Sequence, residues 1–125
     1  DYSALENSEK EPVVNGSPLL VQVAVANLIE NACKYATPGT AIGVAVKYEA
    51  MITVTVTDAG PGVPAHDLQK LKQPFFRSHS ESPSPGTGLG LALSDRIALL
   101  HGGKLELGLS PEGGLQATLV FPGES

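Results

Sequence analysis

Residues 41–57 read AIGVAVKYEAMITVTVT, two runs rich in β-branched residues on either side of a short polar link. Each run alternates apolar with polar or small side chains, which is the pattern of a strand with one buried face. The link Glu49-Ala50 has room only for a tight turn, so 41–48 and 51–57 are predicted to form an antiparallel hairpin. A second hairpin, 104–109 with 115–121, is predicted around the glycine-rich segment Ser110 to Gly114.

Helices are predicted before and between these two hairpins. Ser17 and Pro18 provide a capping hydroxyl and a proline at the first helical position, so this helix should run to about Ala36. A short amphipathic helix is expected over about 65–72. The last helix should follow Gly88 and stop at His101-Gly102-Gly103. Its predicted apolar stripe consists of Leu89, Leu93, Ile97 and Leu100.

Hairpins separated by helices indicate an α/β fold. We predict a two-layer α/β sandwich, with a mixed, mostly antiparallel sheet and with helices on one face only. Residues 1–16 could add one or two short edge strands. The 125 residues suit a single domain. Because the chain begins with Asp1 and not with Met, we expect it to be a piece of a longer protein.

Composition excludes several classes of function. The net charge is −5, and eight Lys and Arg residues are scattered singly, so no basic surface for nucleic acid is expected. The single cysteine, Cys33, rules out an internal disulfide and a cysteine-based zinc site, and its apolar neighbours suggest a packed core thiol. The longest apolar stretch, Leu19 to Ile29, is too short to cross a bilayer, so no direct membrane contact is expected.

Polar residues gather on one face of the first helix. At helical spacing Asn27, Asn31, Lys34 and Tyr35 share that face, which could be a solvated surface or a binding site. Asparagine is a poor helix former, and the apolar residues Leu20, Val23 and Ala24 lie on the same side, so a binding site is favoured. Amide oxygens suit Mg²⁺ and an ammonium suits phosphate, which together fit a magnesium nucleotide. The opposite face is the predicted core stripe, made of Val21, Val25, Leu28, Ile29, Ala32 and Ala36.

Two glycine-rich segments follow predicted elements. Asp58-Ala59-Gly60-Pro61-Gly62 comes directly after a strand, where its carboxylate could accept from an exocyclic amine, although alone it reads as an ordinary turn. Gly86-Thr87-Gly88-Leu89-Gly90-Leu91 runs into a helix, whose first amides can bind an anion. No strand precedes this segment and no lysine follows it, so it is neither a dinucleotide fingerprint nor a Walker A loop.

Taken in order, these segments resemble the N, G1, F and G2 boxes of sensor histidine kinases. The matching stretches are residues 27–35, 58–62, Pro74-Phe75-Phe76-Arg77 and 86–91, and the resemblance covers about residues 11–121. It implies the Bergerat fold, shared with gyrase, Hsp90 and the mismatch-repair ATPases, and a domain excised from a longer kinase. It also implies ATP and Mg²⁺ as cofactors and an ATP lid over residues 73–87.

The resemblance assigns a role to each site residue. Asn31 should ligate Mg²⁺, and two catalytic roles are implied: Asn27 should support the metal or the phosphates, and Lys34 should contact the phosphates. Asp58 should hold the adenine amine, in a pocket lined by Tyr35 and shaped by Gly60 and Gly62. Phosphate contacts are expected from Gly86, Thr87, Gly88, Leu89 and Gly90, with Arg77 reaching in from the lid.

The same resemblance favours phosphoryl transfer over hydrolysis. Related ATPases carry a water-activating glutamate one helical turn before the metal-binding asparagine, and here that position is Asn27. His66, His79 and His101 do not stand on a long amphipathic helix beside an acidic residue, so the acceptor histidine is expected outside this chain.

Partners and location follow from that expectation. We expect a His-bearing dimerisation domain in the same parent and a response regulator downstream. The isolated domain should be monomeric and cytoplasmic, and the parent an inner-membrane sensor. Two alternatives remain open, an anti-sigma-type serine kinase and an ATP-sensing module without transfer.

Overall fold

A computed structural model of the chain describes residues 17–74, 89–111 and 113–123. Helix α1 spans Pro18–Tyr35 and is followed by strands β1, Gly43–Tyr48, and β2, Met51–Thr57. Helix α2 spans Gly90–Leu100 and leads into β3, Lys104–Leu109, and β4, Leu115–Pro122. The short helix expected over 65–72 is two 3₁₀ turns, Ala65–Asp67 and Gln69–Lys72. The edge strands expected within 1–16 and most of the expected lid lie outside the described residues.

The four strands form one sheet in the order β1-β2-β4-β3. Both predicted hairpins are confirmed, and β2 joins them by pairing with β4. Each of these three pairings is antiparallel, so the parallel pairing that a mixed sheet would need is not found among the described strands. An open antiparallel sheet with one covered face results, as the alternating strand pattern predicts.

One face of the sheet carries the core. Register places Val46 opposite Val54, Val54 opposite Leu119, and Leu119 opposite Leu105, which makes one apolar row across all four strands. Val54, Leu119 and Leu105 belong to one buried cluster with residues of both helices, and the partly buried Val46 packs against it. On the other face threonines face one another, and the hydroxyls of Thr55 and Thr118 lie 3.1 Å apart. Both helices therefore cover the same face, as expected.

The buried stripe of α1 differs from the predicted one. Its fully buried residues are Ala24, Leu28 and Ala32, whereas Ile29 is 36% exposed and Cys33 is exposed. The stripe is centred on Leu28, so the asparagines flank it and do not lie opposite it. The predictions for Ile29 and for a packed thiol at Cys33 were therefore wrong. Because α1 also packs against α2, small residues such as Ala24 are buried at that contact.

The predicted stripe of α2 is wrong for three of its four leucine and isoleucine positions. Ile97 is buried, but Leu89, Leu93 and Leu100 are 38%, 46% and 64% exposed. The buried residues are Leu91, Ser94, Ile97 and Ala98. A serine can occupy this contact because its hydroxyl donates to the carbonyl oxygen of Ala24, at 2.9 Å, and so leaves no unpaired polar group.

The two helices run antiparallel and are joined at one end by a histidine. The backbone N–H of Ser17 donates to Nε2 of His101 at 3.0 Å. Nδ1 of the same ring, which then carries the proton, donates to the carbonyl oxygen of Ile97 at 2.8 Å. Ser17 also caps α1 by accepting from the N–H of Leu20, as predicted. At the other end of this helix pair, α1 ends beside the first turn of the loop that follows β2.

The revised α1 stripe makes a prediction about stability. Leu28→Ala should lower the free energy of unfolding by about 2–5 kcal/mol, since the side chain is 1% exposed and would leave a cavity. The neighbouring change Ile29→Ala should cost less than about 1 kcal/mol, because that side chain lies at the surface. Urea denaturation of both variants measures the difference, and equal losses would contradict the revised stripe.

Candidate active site

Asp58 follows β2 directly and has a buried side chain. It is 4% exposed, and its Oδ1 accepts from the N–H of Gly60 at 2.9 Å and from that of Leu115 at 3.3 Å. Among the residues that the structure describes, Oδ2 accepts no hydrogen bond. A carboxylate that is held through one oxygen keeps the other available as an acceptor for a ligand.

The loop after Asp58 lies directly against the end of α1. A Cβ atom at Gly60 would stand 2.1 Å from the carbonyl oxygen of Tyr35, so only glycine fits there. Gly62 has a φ of 72°, which also favours glycine. Gly60 therefore lies between the Asp58 carboxylate and the backbone of Tyr35, and both glycines have a conformational or steric reason.

Asn27 and the start of α2 form a second group. A Cβ atom at Gly90 would lie 3.9 Å from Cβ of Asn27, so this side chain packs against the first residue of α2. Its Nδ2 is buried and has no hydrogen-bond partner among the residues that the structure describes. Buried amides are nearly always paired, so this donor beside a helix start is a candidate ligand contact.

The first turn of α2 carries no group that would oppose the predicted binding of an anion. Leu89 stands at the N-cap and provides no side-chain capping bond, and the first turn contains no acidic residue. The positive end of the helix dipole is therefore not neutralised by α2 itself. The predicted contacts Gly86, Thr87 and Gly88 lie outside the described residues, as does Arg77.

Helix α1 connects the two groups. It carries Asn27 near α2 and Tyr35 near Asp58, which lie about 12 Å apart along the axis at roughly 1.5 Å per residue. Asn31, between them, is half-buried. In the last turn, Nζ of Lys34 lies 5.2 Å from the centre of the Tyr35 ring, within the range of a cation–π contact.

A third component of the candidate site is the turn between β3 and β4, which the sequence predicts only as a hairpin connection. In this turn the Ser110 hydroxyl donates to the carbonyl oxygen of Asp58 at 3.1 Å. Gly114 packs against the same residue, with room for no side chain. The paired glycines at 113 and 114 were the available signal, but such pairs are also common in ordinary turns.

The described residues offer few protein ligands for a metal ion. Within the described ranges no cluster of three or more His, Cys, Asp or Glu side chains could hold a metal ion. The half-buried Asn31 amide is compatible with Mg²⁺, which takes oxygen ligands and commonly shares them with substrate phosphates and water. A search of the same residues for membrane spans finds no helix with the length and apolarity that crossing requires.

The chain is similar in sequence to a known protein family and to curated sensor proteins. The family described as "Histidine kinase-, DNA gyrase B-, and HSP90-like ATPase" matches residues 16–125. Sensor protein QseC of Escherichia coli (strain K12) is 37% identical over 106 residues, which are 85% of this chain and 23% of QseC. The chain thus spans about a quarter of the length of this curated relative.

Two solved structures are also similar. The mycobacterial sensor histidine kinase MprB superposes with a TM-score of 0.84 at 33% identity, over 90% of this chain and 78% of that one. The ATP binding domain of PrrB from Mycobacterium tuberculosis gives a TM-score of 0.72 at 30% identity, over 94% of this chain and 77% of that one. Both agree with the sandwich described above.

Proposed function

The chain belongs to the family of histidine kinase-, DNA gyrase B- and HSP90-like ATPases, as an ATP-binding catalytic domain of the sensor histidine kinase type. We propose that it delivers the γ-phosphoryl group of ATP to a histidine on another domain of its parent. The observation that carries the proposal is the buried Asp58 carboxylate, held by backbone N–H groups through one oxygen. The nucleotide would extend from this carboxylate along α1 to the start of α2.

Adenine is proposed to bind at Asp58. An ionised carboxylate accepts hydrogen bonds and donates none, whereas the exocyclic amine of adenine donates them. Oδ2 is the acceptor that the protein leaves for this amine among the described residues, and Tyr35 would line the same pocket beside Gly60 and Gly62. Guanine presents a carbonyl oxygen where adenine has the amine, so the carboxylate would repel it.

The phosphates are proposed to bind beside the middle of α1, where Asn27 lies against the start of α2. The Nδ2 of Asn27, which has no partner among the described residues, would donate to a phosphate oxygen there, and the start of α2 at Leu89 and Gly90 would add the positive end of the helix dipole. Lys34 would contribute a point charge. The glycines at 86 and 88, Thr87 and Arg77 complete the proposed phosphate contacts on sequence grounds alone.

Mg²⁺ is proposed to bind through the amide oxygen of Asn31 together with phosphate oxygens of the nucleotide. The ion would supply neutralisation of phosphate charge. The chain's own residues then hold the nucleotide: Asp58 fixes the base, while Asn27 and the α2 amides fix the phosphates. Positioning of the reactants and stabilisation of charge provide most of the rate enhancement in enzymatic phosphoryl transfer.

Transfer is favoured over hydrolysis by the side chains around Asn27. An amide cannot take a proton from water, and Glu30, the nearest carboxylate in sequence, is exposed on another side of α1. Of the described histidines, the His66 side chain is 75% exposed on a 3₁₀ turn, and both ring nitrogens of His101 have backbone partners. We therefore place the acceptor on a His-bearing domain of the parent, with a response regulator downstream.

The proposed state and location of the domain follow from the same reasoning. We propose that the isolated domain is a monomer on the cytoplasmic side, and that its parent is an inner-membrane sensor. A serine kinase of the same fold stays an alternative without a specific observation in its favour.

The adenine assignment is tested by Asp58→Asn. The variant loses a charge-assisted hydrogen bond worth roughly 1.5–3 kcal/mol, so ATP affinity should fall about ten- to hundredfold, and the preference for ATP over GTP should shrink. Calorimetric titration measures both. Asp95→Asn is the matched control and should leave ATP affinity unchanged. Its carboxylate is partly exposed and forms a long ion pair with Lys72, at 3.9 Å. Unchanged ATP affinity in Asp58→Asn would refute the assignment.

The magnesium assignment is tested by Asn31→Ala. We expect this variant to bind ADP without Mg²⁺ about as well as the wild type, because the adenine contacts remain. The gain in affinity on adding Mg²⁺ should be lost. Gln22→Ala, which removes an exposed amide from the same helix, should keep that gain. If Asn31→Ala shows the wild-type dependence on Mg²⁺, Asn31 is not the ligand.

A further inference from the structure

We propose that the turn between β3 and β4, through its described residues 110–111 and 113–114, positions the Asp58 carboxylate and thereby determines the preference for adenine. Ser110 and Gly114 are its positioning residues, although neither is expected to touch the nucleotide. This inference rests on the proposed function, because it concerns the carboxylate that we assign to the base.

The turn first fixes the backbone of Asp58. The N–H of Asp58 donates to the carbonyl oxygen of Leu115 at 3.1 Å. The carbonyl oxygen of Asp58 accepts from the Ser110 hydroxyl at 3.1 Å, in a buried contact between residues far apart in the chain. Both polar groups of this peptide segment are therefore bound to the two ends of the same turn, so the end of β2 cannot shift independently of it.

The turn also fixes the side chain of Asp58. The N–H of Leu115 donates to Oδ1 at 3.3 Å, next to the donor from Gly60. A Cβ atom at Gly114 would lie 2.3 Å from Oδ1 and 2.2 Å from the backbone oxygen of Asp58. The Gly114 backbone thus packs against the carboxylate so closely that any side chain there would have to move it.

Internal hydrogen bonds and packing against the loop after Asp58 hold the turn in place. The N–H of Ser110 donates to the carbonyl oxygen of Gly114 at 2.6 Å, and the N–H of Gly113 donates to that of Ser110 at 2.9 Å. Gly113 also touches the loop after Asp58, because a Cβ atom at Gly62 would stand 2.6 Å from its carbonyl oxygen. Ser110 is 5% exposed, so its hydroxyl bond is shielded from water.

These contacts give the turn a consequence for specificity. Two backbone N–H groups occupy Oδ1 and set the plane of the carboxylate, which leaves Oδ2 as the acceptor for the base. A displaced turn would rotate that plane or let Oδ1 compete for the ligand. The discrimination between an amine and a carbonyl on the purine would then weaken, even though Asp58 itself is unchanged.

A purely structural role for the turn would have a different signature. If Ser110 merely stabilised the end of the sheet, its loss would lower the affinities for all purine nucleotides together. If it positions Asp58, the affinity for ADP should fall while that for IDP changes little, since hypoxanthine has a carbonyl oxygen where adenine has the amine. The ratio of the two affinities therefore separates the roles.

The test compares Ser110→Ala and Ser110→Thr by calorimetric titration with ADP and with IDP in Mg²⁺. For Ser110→Ala we expect ADP affinity to fall about three- to tenfold, as for one hydrogen bond, with IDP affinity within about twofold of wild type. Ser110→Thr keeps the hydroxyl and should restore most of the preference for ADP. An unchanged ADP to IDP ratio in Ser110→Ala would overturn the proposal.

A second pair of variants tests the glycine. Gly114→Ala should reduce ADP affinity, and with it the ratio of ADP to IDP affinity, by about tenfold or more, because the added Cβ displaces the carboxylate. Gly108→Ala is the matched control, since nothing lies within 4 Å of a Cβ there, and it should bind ADP like the wild type. Wild-type ADP affinity in a folded Gly114→Ala protein would contradict the proposal.

Failure of this inference is distinguishable from failure of the proposed function. If wild-type protein binds ADP and Asp58→Asn weakens that binding, but the Ser110 and Gly114 variants do not change the ADP to IDP ratio, only the inference is wrong. If wild-type protein binds ADP and IDP equally well, the assignment of Asp58 to adenine is itself wrong.

Discussion

Helix α1 packs against two surfaces at once, the sheet below it and α2 beside it, and the candidate site depends on this double contact. Leu28 fills the core, while the carbonyl oxygen of Ala24 accepts the Ser94 hydroxyl at the helix contact. These constraints fix the rotation of α1 about its axis. The asparagines are therefore left at the edge of the buried stripe, where Asn27 meets Gly90 and Tyr35 meets Gly60.

Strand positions could be read from the sequence, while helix faces could not. A strand has a period of two, so each alternating run has only two possible faces, and the apolar one is buried. The α2 helix is apolar around most of its circumference, so leucines at helical spacing did not identify the core side. Ser94 is the residue that does, but a lone serine gives no sign that its hydroxyl will find a carbonyl on another helix.

The candidate site divides in the same way. The resemblance singles out Asp58 and its glycines, and the structure supplies a steric reason for glycine at position 60. The turn at 110–114 could not, because its contacts with Asp58 join residues more than fifty positions apart. Sequence spacing carries no information about such a contact, and a glycine pair in a hairpin turn has a sufficient local explanation. The orphaned amide of Asn27 likewise becomes visible only once burial is known.

The central claim is that this domain transfers a phosphoryl group and does not hydrolyse ATP. The most direct measurement supplies the domain with Mg-ATP labelled at the γ-phosphate, alone and with the His-bearing domain of its parent. Our account predicts acid-labile label on that second domain, and without it a turnover well below about 1 per second, because Asn27 cannot activate water. Steady turnover at about 1 per second or faster by the domain alone would contradict the account.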